Sequence, residues 1–140
     1  MRAFRWIAVL GLVLTLAACA SAGGTKGDNL VRNQYAWSGA IRWSDFEGAV
    51  NLIDPTLREK QAPNSVQLER YKQLQVSSYR DVGASSDTNA GTAVRDIEIG
   101  VINRHTQAER TVRYREQWRW DAPTKNWWIT SGLPDFWEGQ

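Results

Sequence analysis

The chain has 140 residues, with 17 Lys+Arg against 15 Asp+Glu, a formal net charge of +2 and one cysteine. Two of the basic residues, Arg2 and Arg5, precede an apolar N-terminal run; without them the count is 15 against 15. That neutral balance gives no argument for nucleic acid or an anionic partner, and a lone cysteine excludes an internal disulfide or a thiolate metal cluster.

The N-terminus, MRAFRWIAVLGLVLTLAACA, has a positive start, an apolar run from Ile7 to Ala18 and small residues around Cys19. This is the layout of a secretory signal, and the run is shorter than the roughly 20 apolar residues a permanent transmembrane helix requires. Leu16-Ala17-Ala18-Cys19 resembles the bacterial lipobox. The resemblance implies residues 1–18 as a lipoprotein signal peptide and Cys19 as the lipidated first residue of the mature chain. It further implies a palmitate-bearing lipid anchor in the outer membrane, facing the periplasm, because Ala20 stands where an Asp would signal inner-membrane retention. The alternative is an ordinary cleaved signal with an incidental cysteine. Residues 19–29, rich in Gly and small polar residues, read as the lipidated cysteine and a flexible tether. Residues 30–140 are one domain's worth of chain.

Leu30, Gln34, Trp37 and Ile41, with Tyr35, recur at helical spacing. Ser44-Asp45-Phe46-Glu47 has the form of a capping box with Ser44 as the cap, opening a second helix with Phe46, Ala49, Val50 and Ile53 on one face. Asp54-Pro55 ends it, since the residue before proline is disfavoured in the helical region. Ala62-Pro63-Asn64-Ser65 is a break, followed by a short helix in SVQLERYKQ. Strand signals come next. LQVSSYR places Leu74, Val76, Ser78 and Arg80 in phase; DVGASSDTNAG reads as a polar loop; VRDIEIGVIN puts Ile97, Ile99 and Val101 opposite Asp96 and Glu98. TVRYREQWRW alternates Val112, Tyr114, Glu116, Trp118 and Trp120 with Arg113, Arg115 and Arg119, and DAPTKN turns the chain into WWITSG. Helices followed by an antiparallel meander make an α+β domain, with N-terminal helices packed on a curved sheet of about four strands.

That order of elements, with the stretches AIRWSDFEGAVNLIDP and WRWDAPTKNWWITSGLP, resembles the NTF2-like (cystatin-like) cone fold. Some members of that family, of the ketosteroid-isomerase and dehydratase-like kind, work through a carboxylate base with Tyr or Asp donors, or a His/Asp pair. The resemblance therefore makes Glu116 the weak candidate for a catalytic base, with Tyr114 or Tyr35 as donor. Against it stands a structural role, Glu116 paired with an arginine, for which Arg80 is in phase. The single histidine, His105, falls in a hairpin loop and suits surface solvation. No metal-ligand set or cofactor motif is present, and no cofactor is expected.

Trp118, Trp120 and Trp127, with Trp37 and Trp43 from the helices, are expected in the core or lining a pocket. Trp128 is expected to be exposed, pointing with Arg119 to the outer face of the sheet. With Arg113 and Arg115, those two form a candidate docking face for an envelope protein or for a homodimer through the sheet. The alternative is a solvated sheet with Arg119 stacked on Trp128 as a cation–π pair, and Arg113 and Arg115 are expected to make cross-strand charge pairs with Asp96 and Glu98. The expected function is a non-catalytic, membrane-anchored binding module for a protein or a small apolar ligand. The alternatives are an isomerase- or dehydratase-like enzyme and a toxin-neutralising envelope lipoprotein.

Overall fold

A computed structural model describes residues 24–137; the lipobox stretch and Cys19 lie outside the described residues. Four helices precede four strands: α1 (Lys26–Arg42), α2 (Phe46–Val50), α3 (Pro55–Gln61), α4 (Ser65–Tyr71), then β1 (Leu74–Asp87), β2 (Thr92–Asn103), β3 (Glu109–Asp121) and β4 (Asn126–Ile129). The strands form one antiparallel sheet in the order β1-β2-β3-β4. The architecture is the expected α+β, with helices against one face of the sheet.

The first helix begins four residues before Leu30, inside the stretch read as tether. Thr25 caps it: the Asp28 amide donates to Thr25 Oγ1 at 3.2 Å, and the Thr25 amide donates to the Asp28 carboxylate at 3.0 Å. This reciprocal capping box satisfies amides that a helix start otherwise leaves open. Leu30, Trp37 and Ile41 form its buried stripe, while Tyr35 is 80% exposed.

The end of α1 corrects the expected cap at Ser44. Ser44 has φ 58, in the left-handed region. Its amide donates to the Ile41 carbonyl at 3.1 Å, and that of Asp45 to Ala40 at 2.8 Å. That pair of bonds is a Schellman closure, so Ser44 terminates α1 and cannot also start α2. Asp45 takes over, its carboxylate accepting from the Gly48 amide at 2.9 Å. The same closure leaves Trp43, expected in the core, as the C-cap and 86% exposed. The second helix, expected to run to Asp54, already ends at Val50 with Asn51 as its C-cap, and Asp54 instead caps α3, which the sequence reading left unassigned. Asn64 caps α4 with a capping box to Gln67.

In the sheet, β1 runs through the segment expected as a loop. Residues from Gly83 to Asp87 pair with Asp96 to Thr92, so the partner strand supplies an extended conformation that their own propensity does not. Two bulges, between Val76 and Ser78 and between Asp81 and Gly83, interrupt the ladder. The first reverses the alternation: after Leu74 and Val76 the next inward side chain is Tyr79, not Ser78 or Arg80. Gly100 permits this crowding, since a Cβ there would lie 2.5 Å from Ser77 Oγ and 2.6 Å from Ser78 Oγ.

The inner face of the sheet and the helices enclose the core, which holds Ile97, Ile99, Trp118, Trp127 and Ile129 together with Trp37, Ile41, Phe46 and Ile53. As the alternation requires, Trp120 pairs with Trp127, Trp118 with Ile129, and Arg119 with Trp128. Each fully buried Ile or Leu in such a core stabilises the fold by about 1.5–3 kcal/mol. The outer edge of β4 is covered by the chain around Ile53. There the Ile129 amide donates to Leu52 at 3.1 Å and the Asp54 amide to Ile129 at 2.9 Å, which covers the outer edge of β4 at Ile129.

Candidate functional site

Glu116 lies inward on β3 and has no solvent exposure. Register places it directly opposite Arg95 on β2. The pair is bidentate: Arg95 Nε donates to Oε2 at 2.8 Å and Nη2 to Oε1 at 2.8 Å. Trp118 Nε1 donates to Oε2 at 2.9 Å, and the Tyr79 hydroxyl donates to Oε1. An ionised carboxylate offers about four acceptor positions. Four donor groups occupy them, so this carboxylate is enclosed and saturated.

Arg80, the arginine expected beside it, is outside on β1 and bonds Glu98 instead. The bulge before Ser78 explains the displacement, because it turns Arg80 outward and Tyr79 inward. The residue that sequence reasoning missed is Arg95. Its signal was available: Arg95 is in phase with Ile97, Ile99 and Val101, the apolar side of its own strand.

Tyr114 does not face Glu116 as a free donor. Its hydroxyl donates to the Gly132 carbonyl at 2.7 Å and lies 2.9 Å from Ser131 Oγ. Burial pushes its ionisation well above the ordinary tyrosine value. Tyr79 is raised for the same reason first, and then by the negative charge of Glu116. Trp37 stacks on Tyr114, with ring centres 6.4 Å apart, and meets Trp118 edge-on at 6.4 Å. Indoles and a saturated ion pair therefore fill the space that the family resemblance would give to a reaction pocket. Tyr35 is too exposed to take part.

The candidate docking face also differs from its expected form. Arg113 lies 3.9 Å from Glu98 and Arg115 lies 3.6 Å from Asp96, as cross-strand opposition requires. Arg119 does not stack on Trp128. It reaches Asp54, with Nε at 2.9 Å and Nη2 at 2.5 Å from Oδ2. Trp128 is half-buried where an exposed indole was expected. On the buried Asp54, desolvation alone would raise the pKa; hydrogen bonds from Arg119 and Thr56 outweigh it and hold the carboxyl below its usual range. His105 lies in the exposed β2–β3 turn, as expected.

A different concavity stands out. A groove of about 390 Å³ runs between α3, α4 and the C-terminal segment. Its apolar surface includes Ile53, Leu57, Tyr71 and Leu133, and its polar groups include Gln67, Arg70 and Asp135. Beneath one side, Phe46, Tyr71 and Phe136 form an aromatic cluster with centroid spacings of 4.9 to 6.0 Å. Tyr71 anchors the wall by donating to the Pro134 carbonyl at 2.8 Å. Arg70 lies 4.2 Å over the Trp137 ring, closing the other side.

Among the described residues there is no group of three or more His, Cys, Asp or Glu placed to hold a metal ion. Nor is any helix among them long and apolar enough to cross a membrane. No family model matches the chain, and no curated protein matches it. Among solved structures it is similar to a SEC-C motif containing protein from Rhodopseudomonas palustris, determined in solution. The two are 17% identical, with 70% of this chain and 72% of that one covered and a TM-score of 0.55. At that identity the likeness is one of fold alone.

Proposed function

We propose that the chain is an envelope lipoprotein, anchored through Cys19 at the periplasmic side of the outer membrane, whose domain binds a ligand without transforming it. The order of elements, helices before a four-stranded antiparallel meander, supports reading that domain as NTF2-like. The observation that carries the non-catalytic reading is the Glu116 carboxylate, fully buried with donors on both oxygens. A general base needs a free lone pair within reach of a substrate proton. Here the lone pairs hold Arg95, Tyr79 and Trp118 in the core.

The groove between α3, α4 and the C-terminal segment is the best-supported binding site. Its volume of about 390 Å³ suits a small ligand or a few residues of peptide. Its lining sets Ile53, Leu57 and Leu133 beside Gln61, Gln67, Ser131, Arg70 and Asp135, which favours a ligand that carries polar groups next to an apolar portion.

Two measurements test this. Cys19→Ser is expected to move the protein out of membrane fractions; unchanged membrane association sinks the anchoring. A photo-crosslinking side chain at Gln67, in the groove, is expected to yield adducts in living cells, and one at Arg115, on the outer sheet face, none. Adducts from Arg115 alone would move binding to the sheet, and adducts from neither would sink the binding reading.

A further inference from the structure

Among the described residues, three of the five large apolar side chains that stand more than half exposed belong to α1 and its cap: Val31 at 66%, Tyr35 at 80% and Trp43 at 86%. Their positions follow from helix geometry. Tyr35 is two residues from the buried Trp37 and so points about 160° away from it. Val31 is one turn before Tyr35, Gly39 is one turn after, and Trp43 follows at the cap, drifting about 40° around the axis at each step. The stripe is about 18 Å long at 1.5 Å per residue.

Its charges have one sign. Arg32 and Arg42 are exposed alongside it, and no Asp or Glu occurs between Asn29 and Ser44. The nearest carboxylates stand at its two ends: Asp28, the Thr25 capping partner, attracts Arg32, and Asp45 caps α2 through the Gly48 amide. Arg42 also donates to the Tyr79 carbonyl at 3.0 Å, which steadies the C-terminal end of the stripe. Trp and Tyr beside arginines, on an otherwise uncharged helix face, match the headgroup zone of a bilayer. Aromatic rings rest there with their polar edges wet, and arginine stems extend toward lipid phosphates.

The chain's path supplies the second argument. From Cys19 to the cap residue Thr25 the backbone spans at most about 20 Å, even fully extended, at roughly 3.5 Å per residue. An anchor at Cys19 therefore holds the start of α1 against the membrane at an effective concentration on the order of millimolar, where weak interfacial contacts become populated.

We propose that α1 lies along the surface of the bilayer that holds the anchor, with Val31, Tyr35 and Trp43 among the headgroups and Arg32 at the phosphates. This rests on the anchoring through Cys19 argued above. Because α1 covers the inner face of the sheet, the outer face with Arg113 and Arg115 is then turned toward the periplasm.

The test uses the acylated full chain in vesicles of phosphatidylethanolamine and phosphatidylglycerol. A spin label is attached at Gly39→Cys, where a Cβ meets no atom within 4 Å. A control label sits at Arg115→Cys on the outer sheet face. Oxygen accessibility relative to that of a water-soluble nickel chelate is expected to rise at least about threefold at position 39 on adding vesicles, and to stay level at position 115. In the Tyr35→Ser/Trp43→Ser background the rise at 39 is expected to vanish while the protein still floats with the vesicles. A level signal at 39 in floating protein overturns the proposal and leaves the anchor standing. Protein that does not float overturns both. Protection of position 39 that requires envelope proteins in addition to lipid assigns the stripe to a protein partner and also overturns it.

Discussion

Arg95 and Glu116 face each other across β2 and β3 with two parallel N–H···O bonds, both 2.8 Å, in the middle of an aromatic core. Removing one member of such a pair leaves the other charge buried without a counterion, while removing both can be close to neutral. Arg95→Met is expected to lose about 3–5 kcal/mol of unfolding free energy in urea titration. Arg95→Met combined with Glu116→Leu is expected to recover part of that loss and not all of it, because Tyr79 and Trp118 then lose their acceptor. A double variant as unstable as the single one would show that the pair contributes more than mutual neutralisation.

The Asp54–Arg119 pair predicts an acid-dependent contribution. Asp54 has a folded-state pKa below its ordinary value of 3.8. Its contribution is therefore present above about pH 4 and is lost as the pH falls through the folded-state value. Thermal melts of the wild type and Arg119→Gln should differ by a constant amount from neutrality down to about pH 5. Below about pH 4 the difference should shrink. A difference that grows on acidification contradicts this assignment.

Alkaline pH acts through the tyrosines. Burial, followed by the nearby Asp135 charge, pushes Tyr71 up to about 12, and Tyr79 and Tyr114 are raised further. All three bind their protons more tightly folded than unfolded. The stability they contribute is whole below about pH 10 and declines as the pH climbs beyond it. Tyrosinate absorbance from these rings should appear together with loss of circular dichroism, in one transition. Ionisation that precedes unfolding would place their hydroxyls in contact with water.

Two left-handed positions give opposite outcomes. Ser44→Gly is expected to stabilise the domain by about 0.5–1 kcal/mol, because glycine relieves the left-handed strain at the end of α1 and gives back part of that gain in chain entropy. Gly91→Ala is expected to destabilise by about 1–2 kcal/mol. Gly91 has φ 73, and a Cβ would come 3.0 Å from that of Trp120. Gly132 has the same φ with no atom within 4 Å, so Gly132→Ala should cost less than Gly91→Ala. Chemical denaturation of the three variants orders them.

How far the sequence foretold this molecule depended on whether the relevant signal was local. The pairing of Trp120 with Trp127 and of Trp118 with Ile129 followed from counting residues across a six-residue turn, because a strand's period is fixed at two. The inward position of Glu116 followed from the same count. Its partner did not, because one unpaired residue at Ser77 reverses the parity of everything after it, and a bulge leaves no mark that alternation can detect. Trp43 was misassigned for a related reason. Its apolar character suited the core, but the left-handed turn at Ser44 had already ended the helix and carried the indole outward. Thr25 and Asp28 are a capping pattern that stood in plain view inside a Gly-rich stretch; composition there pointed to a tether and outweighed it. The groove was not legible at all, since α3 and α4 meet the C-terminal segment, distant in the chain, only through the fold.

Trp127 Nε1 donates to the Lys26 carbonyl at 2.9 Å, and Asn33 Nδ2 bonds both Asn126 Oδ1 and the Trp127 carbonyl at 2.8 Å. The first turns of α1 are thus riveted to β4, about a hundred residues downstream. Tension drawn on the backbone ahead of Thr25 would not peel the helix away turn by turn. It would be passed sideways into β4, which is itself gripped by β3 on one flank and by Leu52 and Asp54 on the other, so the rivet, the short strand and its two neighbours would have to yield together.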